Sequence, residues 1–152
     1  MPKARAQAVR DRLMAPDMFT GWGIRTMSSR DAGYNPIEYH DGTVWPHDTA
    51  IVGEGLRRYG FREDATRLAW ALFEAAEAFE YRLPEVFAGF DREDTVVPVE
   101  YPTASRPQAW AAAAPMMAIR TLLGLEAQDG LVRESVRLPD GLRRLNRRGR
   151  QV

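Results

Sequence analysis

Apolar side chains recur at helical spacing in four stretches of this 152-residue chain. Residues 3–14 set Ala4, Val9 and Leu13 on one stripe, closed by the turn at Ala15-Pro16-Asp17. Residues 46–59 open with Pro46, suited to a first helical turn because its missing N–H would have no partner there. They turn Ile51, Val52, Gly55, Leu56 and Tyr59 toward a core, and Gly60 supplies a left-handed stop. Residues 62–81 carry the clearest pattern. Glu63 and Asp64 suit the dipole of the first turn, and Ala65, Leu68, Ala69, Leu72, Phe73, Ala76 and Phe79 repeat toward a stop at Leu83-Pro84. A fourth helix is expected from Ser105-Arg106-Pro107-Gln108, which reads as a capping box, through Trp110 and Met117 to Leu123-Gly124. Beyond it, Leu131 to Arg137 alternates like a strand, and Leu142 to Asn146 is placed to pair with it across Pro139-Asp140-Gly141.

Two long irregular segments, 17–45 and 82–105, separate these helices. Loops beyond about 12–15 residues in a compact domain are usually functional or disordered. Both segments are rich in Trp, Tyr, Phe, His, Gly and Pro, which is not a disordered composition. The pattern is an all-α scaffold with ordered aromatic loops at one mouth, a first sign of a binding cleft.

Composition narrows the classes. The chain has no Cys, so disulfides and thiolate metal sites are excluded. No apolar run reaches the roughly 20 residues of a membrane-spanning helix, and the basic N-terminus lacks the apolar stretch of a signal peptide. A cytoplasmic location is therefore expected. Twenty-one basic and 21 acidic residues balance, which disfavours nucleic acid or a membrane surface as partner. The balance is uneven along the chain: seven Arg lie from Arg133 onward against Glu134 and Asp140, while residues 71–100 carry eight acids against Arg82 and Arg92. The basic tail has no aromatic residue to stack a base, so it reads as a solvated or docking face.

GWG at 21–23 lacks the third glycine of a phosphate loop, and neither Ser28 nor Ser29 sits in a nucleophile elbow. His40, His47, Asp41 and Asp48 fall in a loop and at a helix start without a His pair at i, i+4, so no metal or cofactor is expected. What the loops do hold is flat aromatic rings (Trp22, Tyr34, Tyr39, Trp45, Phe87) beside carboxylates (Asp41, Asp48, Glu85). Sugars bind such surfaces, ring C–H face on aromatic and hydroxyls on polar groups. From composition alone, the same rings more often simply close the ends of a helix bundle. Glu85 lies in the apolar run LPEVFAGF. An unpaired carboxylate in such surroundings suits general acid–base work. Pairing with Arg82 or Arg106 would make it structural.

The run GWGIRTMSSRDAGYNPIEYHDGTVWPHDTAIVGEGLRRYG at 21–60, then RLPEVFAGF at 82–90 and YPTASRPQAWAAAAP at 101–115, resembles the catalytic domain of bacterial amylo-α-1,6-glucosidase and glycogen-debranching-type proteins. The resemblance covers roughly residues 5–145. It implies the C-terminal portion of an (α/α)6 barrel, a six-hairpin glycosidase, hydrolysing an α-glucosidic bond of a glucoside or oligosaccharide with inversion. On it, Glu85 is the general base, and Trp22, Tyr39, His40, Trp45, His47 and Asp48 line the terminal-sugar subsite. Trp45 stacks or shapes, while His40, His47 and Asp48 reach hydroxyls; Trp22 and Arg25 match more weakly. Gln108 and Trp110 belong to a recurrent motif that capping and packing explain equally well. The family's general acid lies in an earlier hairpin, so none is nominated. The resemblance implies one incomplete domain over 1–152, expected to be inactive alone and to complete itself with the remaining barrel half or by self-association. A non-catalytic carbohydrate-binding or structural remnant is the alternative.

Overall fold

The computed structural model describes residues 1–128 and 131–133. Its helices are α1 (Lys3–Leu13), α2 (Pro46–Arg58), α3 (Arg62–Ala78) and α4 (Ala109–Leu123). Two short antiparallel strands follow, β1 (Glu126–Gln128) and β2 (Leu131–Arg133), with Ala127 opposite Val132. The described part of the expected 131–137 strand pairs with 126–128; residues 134–137 and its expected partner, 142–146, lie outside the described residues. Among the described residues, no helix is long and apolar enough to cross a membrane.

Helices α2, α3 and α4 pack on one another, and α3 contributes the face its pattern predicted. Ala65, Leu68, Ala69, Leu72, Ala76 and Phe79 are buried. The helix ends three residues early, at Ala78. Glu80 and Tyr81 take left-handed φ of 55° and 60°, and the Tyr81 N–H donates to the Ala76 carbonyl at 2.7 Å. The fourth helix also starts later than expected. Ser105 is held back at the loop, its carbonyl accepting from the Glu85 N–H and its N–H donating to the Glu85 carboxylate, and Gln108 is the cap, its Oε1 accepting from the Ala111 N–H at 2.8 Å.

The expected core faces of α1 and α2 are corrected in part; on α2, Leu56 is buried and Val52 packs beside it as expected. On α1 the buried residue is Ala6, Val9 is exposed, and Leu13 is half-buried against the Phe19–Ile24 cluster. This short helix is anchored by charge, Arg10 to Asp64 at 2.6 Å and Arg12 to Asp17 at 2.7 Å. On α2, Ile51 and Tyr59 are 55% and 47% exposed, whereas Thr49, Glu54 and Arg57 are buried. Because α2 contacts both α3 and α4, its inner face is set by what fits between them. Two charges fit because they neutralise each other. Arg57 donates to both Glu54 oxygens at 2.8 and 2.9 Å and to Glu126 at 2.8 Å, and Thr121 donates to Glu54 at 3.2 Å. The Arg57 hydrogen bonds hold the Glu54 carboxyl below its ordinary range.

The two long loops are ordered and joined edge to edge. Isolated antiparallel bridges run Arg25 to Val44, Val44 to Phe87 and Phe87 to Glu100. Val44 and Phe87 exchange both backbone hydrogen bonds, at 2.9 and 3.0 Å, and both are fully buried. Two residues further along, Gly89 crosses Gly42 so closely that a Cβ on Gly89 would sit 1.7 Å from the Gly42 oxygen. Buried Arg25 locks the crossing, its Nε donating to the Gly89 carbonyl at 2.8 Å and its Nη2 pairing with Asp91 at 2.8 Å.

Two outcomes follow. Gly89→Ala forces the loops apart and destabilises the fold by about 1–3 kcal/mol, read as a lower urea midpoint. Glu54 has a depressed folded pKa, so its stabilisation is complete above the ordinary carboxylate range and fades as pH falls through the folded value. Acid titration of Glu54→Gln should therefore show a less stable protein at neutral pH and a shallower loss on acidification.

Candidate functional site

Crossing the loops at Val44 and Phe87 brings the residues on either side together. Trp45 follows Val44, Glu85 precedes Phe87 by two positions, and Pro46 then starts α2. Around them runs a continuous line of rings. Tyr101 lies 5.8 Å from Tyr39; Tyr39 meets His40 at 4.6 Å and Trp45 at 4.8 Å, edge on. Trp45 touches His47 at 5.7 Å, and His47 touches Trp110 at 4.8 Å.

Within this wall the roles divide by exposure. Trp45 is buried, and its indole N–H donates to Thr43 Oγ1 at 3.1 Å and to the Tyr39 carbonyl at 3.3 Å. One of its faces is covered by His40, stacked at 5.5 Å with 10° between planes. Trp45 thus shapes the wall, and the exposed imidazole of His40 presents a surface to solvent. His47 is half-buried. Its Nε2 lies 3.3 Å from exposed Asp48, and its Nδ1 is enclosed with no hydrogen-bond partner.

Glu85 is half-buried at one end of the wall. Its Oε2 accepts from the Ser105 N–H at 3.3 Å. Burial first, and Glu85 second, raise the Tyr39 phenol above its ordinary range. Neither arginine considered as a structural partner neutralises Glu85. Arg106 donates to the Phe79 carbonyl at 2.8 Å and lies near Glu80 and Glu100, while Arg82 is exposed. A carboxylate with open acceptor positions beside rings is chemically fit to bind and activate a water.

Tyr39, His40, Trp45, His47, Asp48 and Glu85 therefore gather in one place. Trp22 does not join them. It is buried in the core with Val44, Ala75 and Phe79, under the Arg92 guanidinium at 4.3 Å. Arg25 is likewise part of the loop crossing. Two further residues complete the wall, Tyr101 and Trp110. Both lie in the YPTASRPQAW run, and Trp110 is 62% exposed with its ring against His47.

The mannosylglycerate hydrolase MGH1-like glycoside hydrolase domain matches residues 1–110, which include every member of this wall. The chain belongs to that family. Among its relatives, mannosylglycerate hydrolase MGH1 of Selaginella moellendorffii is 35% identical over 66 residues, 41% of this chain and 14% of the relative. The mannosylglycerate hydrolase of Rubrobacter radiotolerans is 31% identical over 74 residues, 46% of this chain and 17% of the relative. The match thus spans about one-sixth or less of these relatives. Glycoside hydrolase membership agrees with the sequence resemblance. The amylo-α-1,6-glucosidase branch is not the one matched.

The exposures give a direct optical check. Trp22 and Trp45 are buried and Trp70 is half-buried, so Trp110→Phe should remove the largest share of the iodide-quenchable tryptophan emission, and Trp45→Phe should leave it in place.

Proposed function

We propose that this chain supplies the general-base carboxylate and one wall of the sugar subsite of a glycoside hydrolase acting on a mannosylglycerate-type glycoside. The observation that carries this reading is Glu85, whose carboxylate accepts from the Ser105 N–H and has no ion-pair partner among the described residues, at the end of the Tyr39–His40–Trp45–His47–Trp110 wall. In this role Glu85 takes a proton from the attacking water. His40, His47 and Asp48 hydrogen-bond sugar hydroxyls. Hydrolysis by inversion needs a second carboxyl group about 6.5–9.5 Å away to protonate the leaving oxygen. That group comes from another helical segment of the same kind of domain.

The surface of α4 supports such a neighbour. From Ala109 to Ile119 the helix has no charged residue, although Trp110, Met116 and Ile119 are exposed. A helix apolar all round is a buried helix. Ile51 of α2 lies beside it, and the two helices border a groove of about 480 Å³ that begins at His47 and Asp48. A complementary helical segment of the domain is the occupant we assign to this face.

A chimera tests the reading, with residues 1–123 replacing the corresponding segment of the Rubrobacter radiotolerans enzyme. It should hydrolyse mannosylglycerate faster than α-1,6-linked glucosides and release the inverted anomer. Glu85→Gln should lower kcat about 10²–10⁴-fold with the fold intact. Full activity in Glu85→Gln would refute the assignment. Preference for the α-1,6-glucoside would return the substrate to the debranching class.

A further inference from the structure

One face of α4 is left uncovered by the described residues. Ala109, Ala112, Ala113, Met116 and Ile119 are exposed, and their spacing of three and four residues sets them in one line along the helix. No charged side chain interrupts the line before Arg120. On the side held by α2 and α3, Ala111, Ala114, Ala118 and Leu122 are buried.

The line is graded, alanine in its N-terminal half and Met116 and Ile119 in its C-terminal half. A parallel copy would set large side chains against large and small against small. Laid antiparallel, the same sequence is its own complement. About a two-fold axis at the level of Ala114, Met116 faces Ala112 and Ile119 faces Ala109, in both directions at once. An alanine opposite each large side chain lets the helix axes approach to about 8 Å, the close end of the packing range.

Charge selects the same direction. The Trp110 end of α4 shares a groove with exposed Asp48 of α2. The other end carries Arg120, half exposed, with its guanidinium no nearer than 3.8 Å to Glu54. Parallel pairing sets Arg120 against Arg120. Antiparallel pairing carries it to Gln108 of the second copy, at the end that holds Asp48.

We propose that α4 of a second copy of this chain fills this face, antiparallel about a two-fold axis, so that each copy brings its Arg120 to the Asp48 end of the other's aromatic wall. This rests on the reading of α4 as a face that takes a helical segment, and the experiment separates the two.

One helix face per copy is at the small end of interface sizes, so the dimer is weak. Sedimentation velocity of the full chain should show a monomer at sub-micromolar concentration and a dimer at roughly tens to hundreds of micromolar. Met116→Glu and Ala112→Lys should each weaken the dimer at least about tenfold. Both positions are exposed, so far-ultraviolet circular dichroism should not change. Mixing the two variants should restore a one-to-one dimer, because position 116 of one copy faces position 112 of the other. A chain monomeric throughout this range overturns the second copy. A dimer that Met116→Glu leaves intact overturns the face. A dimer weakened by both variants and not restored by mixing overturns the antiparallel register. In the chimera, where the host's own helices cover α4, Met116→Glu should lower the melting temperature by several degrees whatever the free chain does. An unchanged value there overturns α4 as a docking face.

Discussion

Everything at the candidate site depends on the reciprocal backbone pair between Val44 and Phe87. The two loops it joins are far apart in sequence, and each alone is an irregular stretch with little apolar face of its own. Once paired and buried, the bridge fixes Trp45 and Glu85 on one rim, and Gly42 against Gly89 on the other. The close glycine contact makes the crossing intolerant of any side chain there. Arg25, buried beneath it, satisfies the Gly89 carbonyl and finds its charge partner in Asp91. A buried, paired arginine of this kind is strongly destabilising to break, because removing one partner leaves the other uncompensated.

The helices play a supporting part that their sequences announce to different degrees. The inward face of α3 was legible because it packs as a simple amphipathic helix, with Leu68 and Leu72 at helical spacing. The face of α2 was legible only at Val52 and Leu56, because the helix lies between two neighbours and also buries Glu54 and Arg57, a pair that a hydrophobic pattern scores as outward. On α1 the apolar stripe is weak, and arginine contacts to Asp64 and Asp17 fix it instead. The cap at Gln108 was hidden by Ser105, which has the right chemistry for a cap and a different job.

The site was readable to a similar, partial extent. Glu85, Tyr39, His40, Trp45, His47 and Asp48 came from two recognisable blocks, and the fold gathers them. Trp22 sits in the same first block but points to the core, since residues on opposite sides of the Val44 bridge diverge by geometry that spacing alone does not reveal. Tyr101 lacked any chemical signal beyond its place before α4. Trp110 had one, its place in the motif that starts α4, and packing explained that place equally well. The family match covers all of these residues, and the exposed apolar side of α4 is the surface on which the proposed neighbouring segment would sit.

Amide and side-chain NMR mapping of the labelled chain during titration with mannosylglycerate asks directly whether the loop crossing presents Glu85 and the aromatic wall to a sugar. Saturable shifts are expected at His40, His47, Glu85, Tyr101 and Trp110, with Trp22 and Arg92 silent. Shifts confined to the Trp22–Arg92 side, or none at millimolar ligand, would contradict that role.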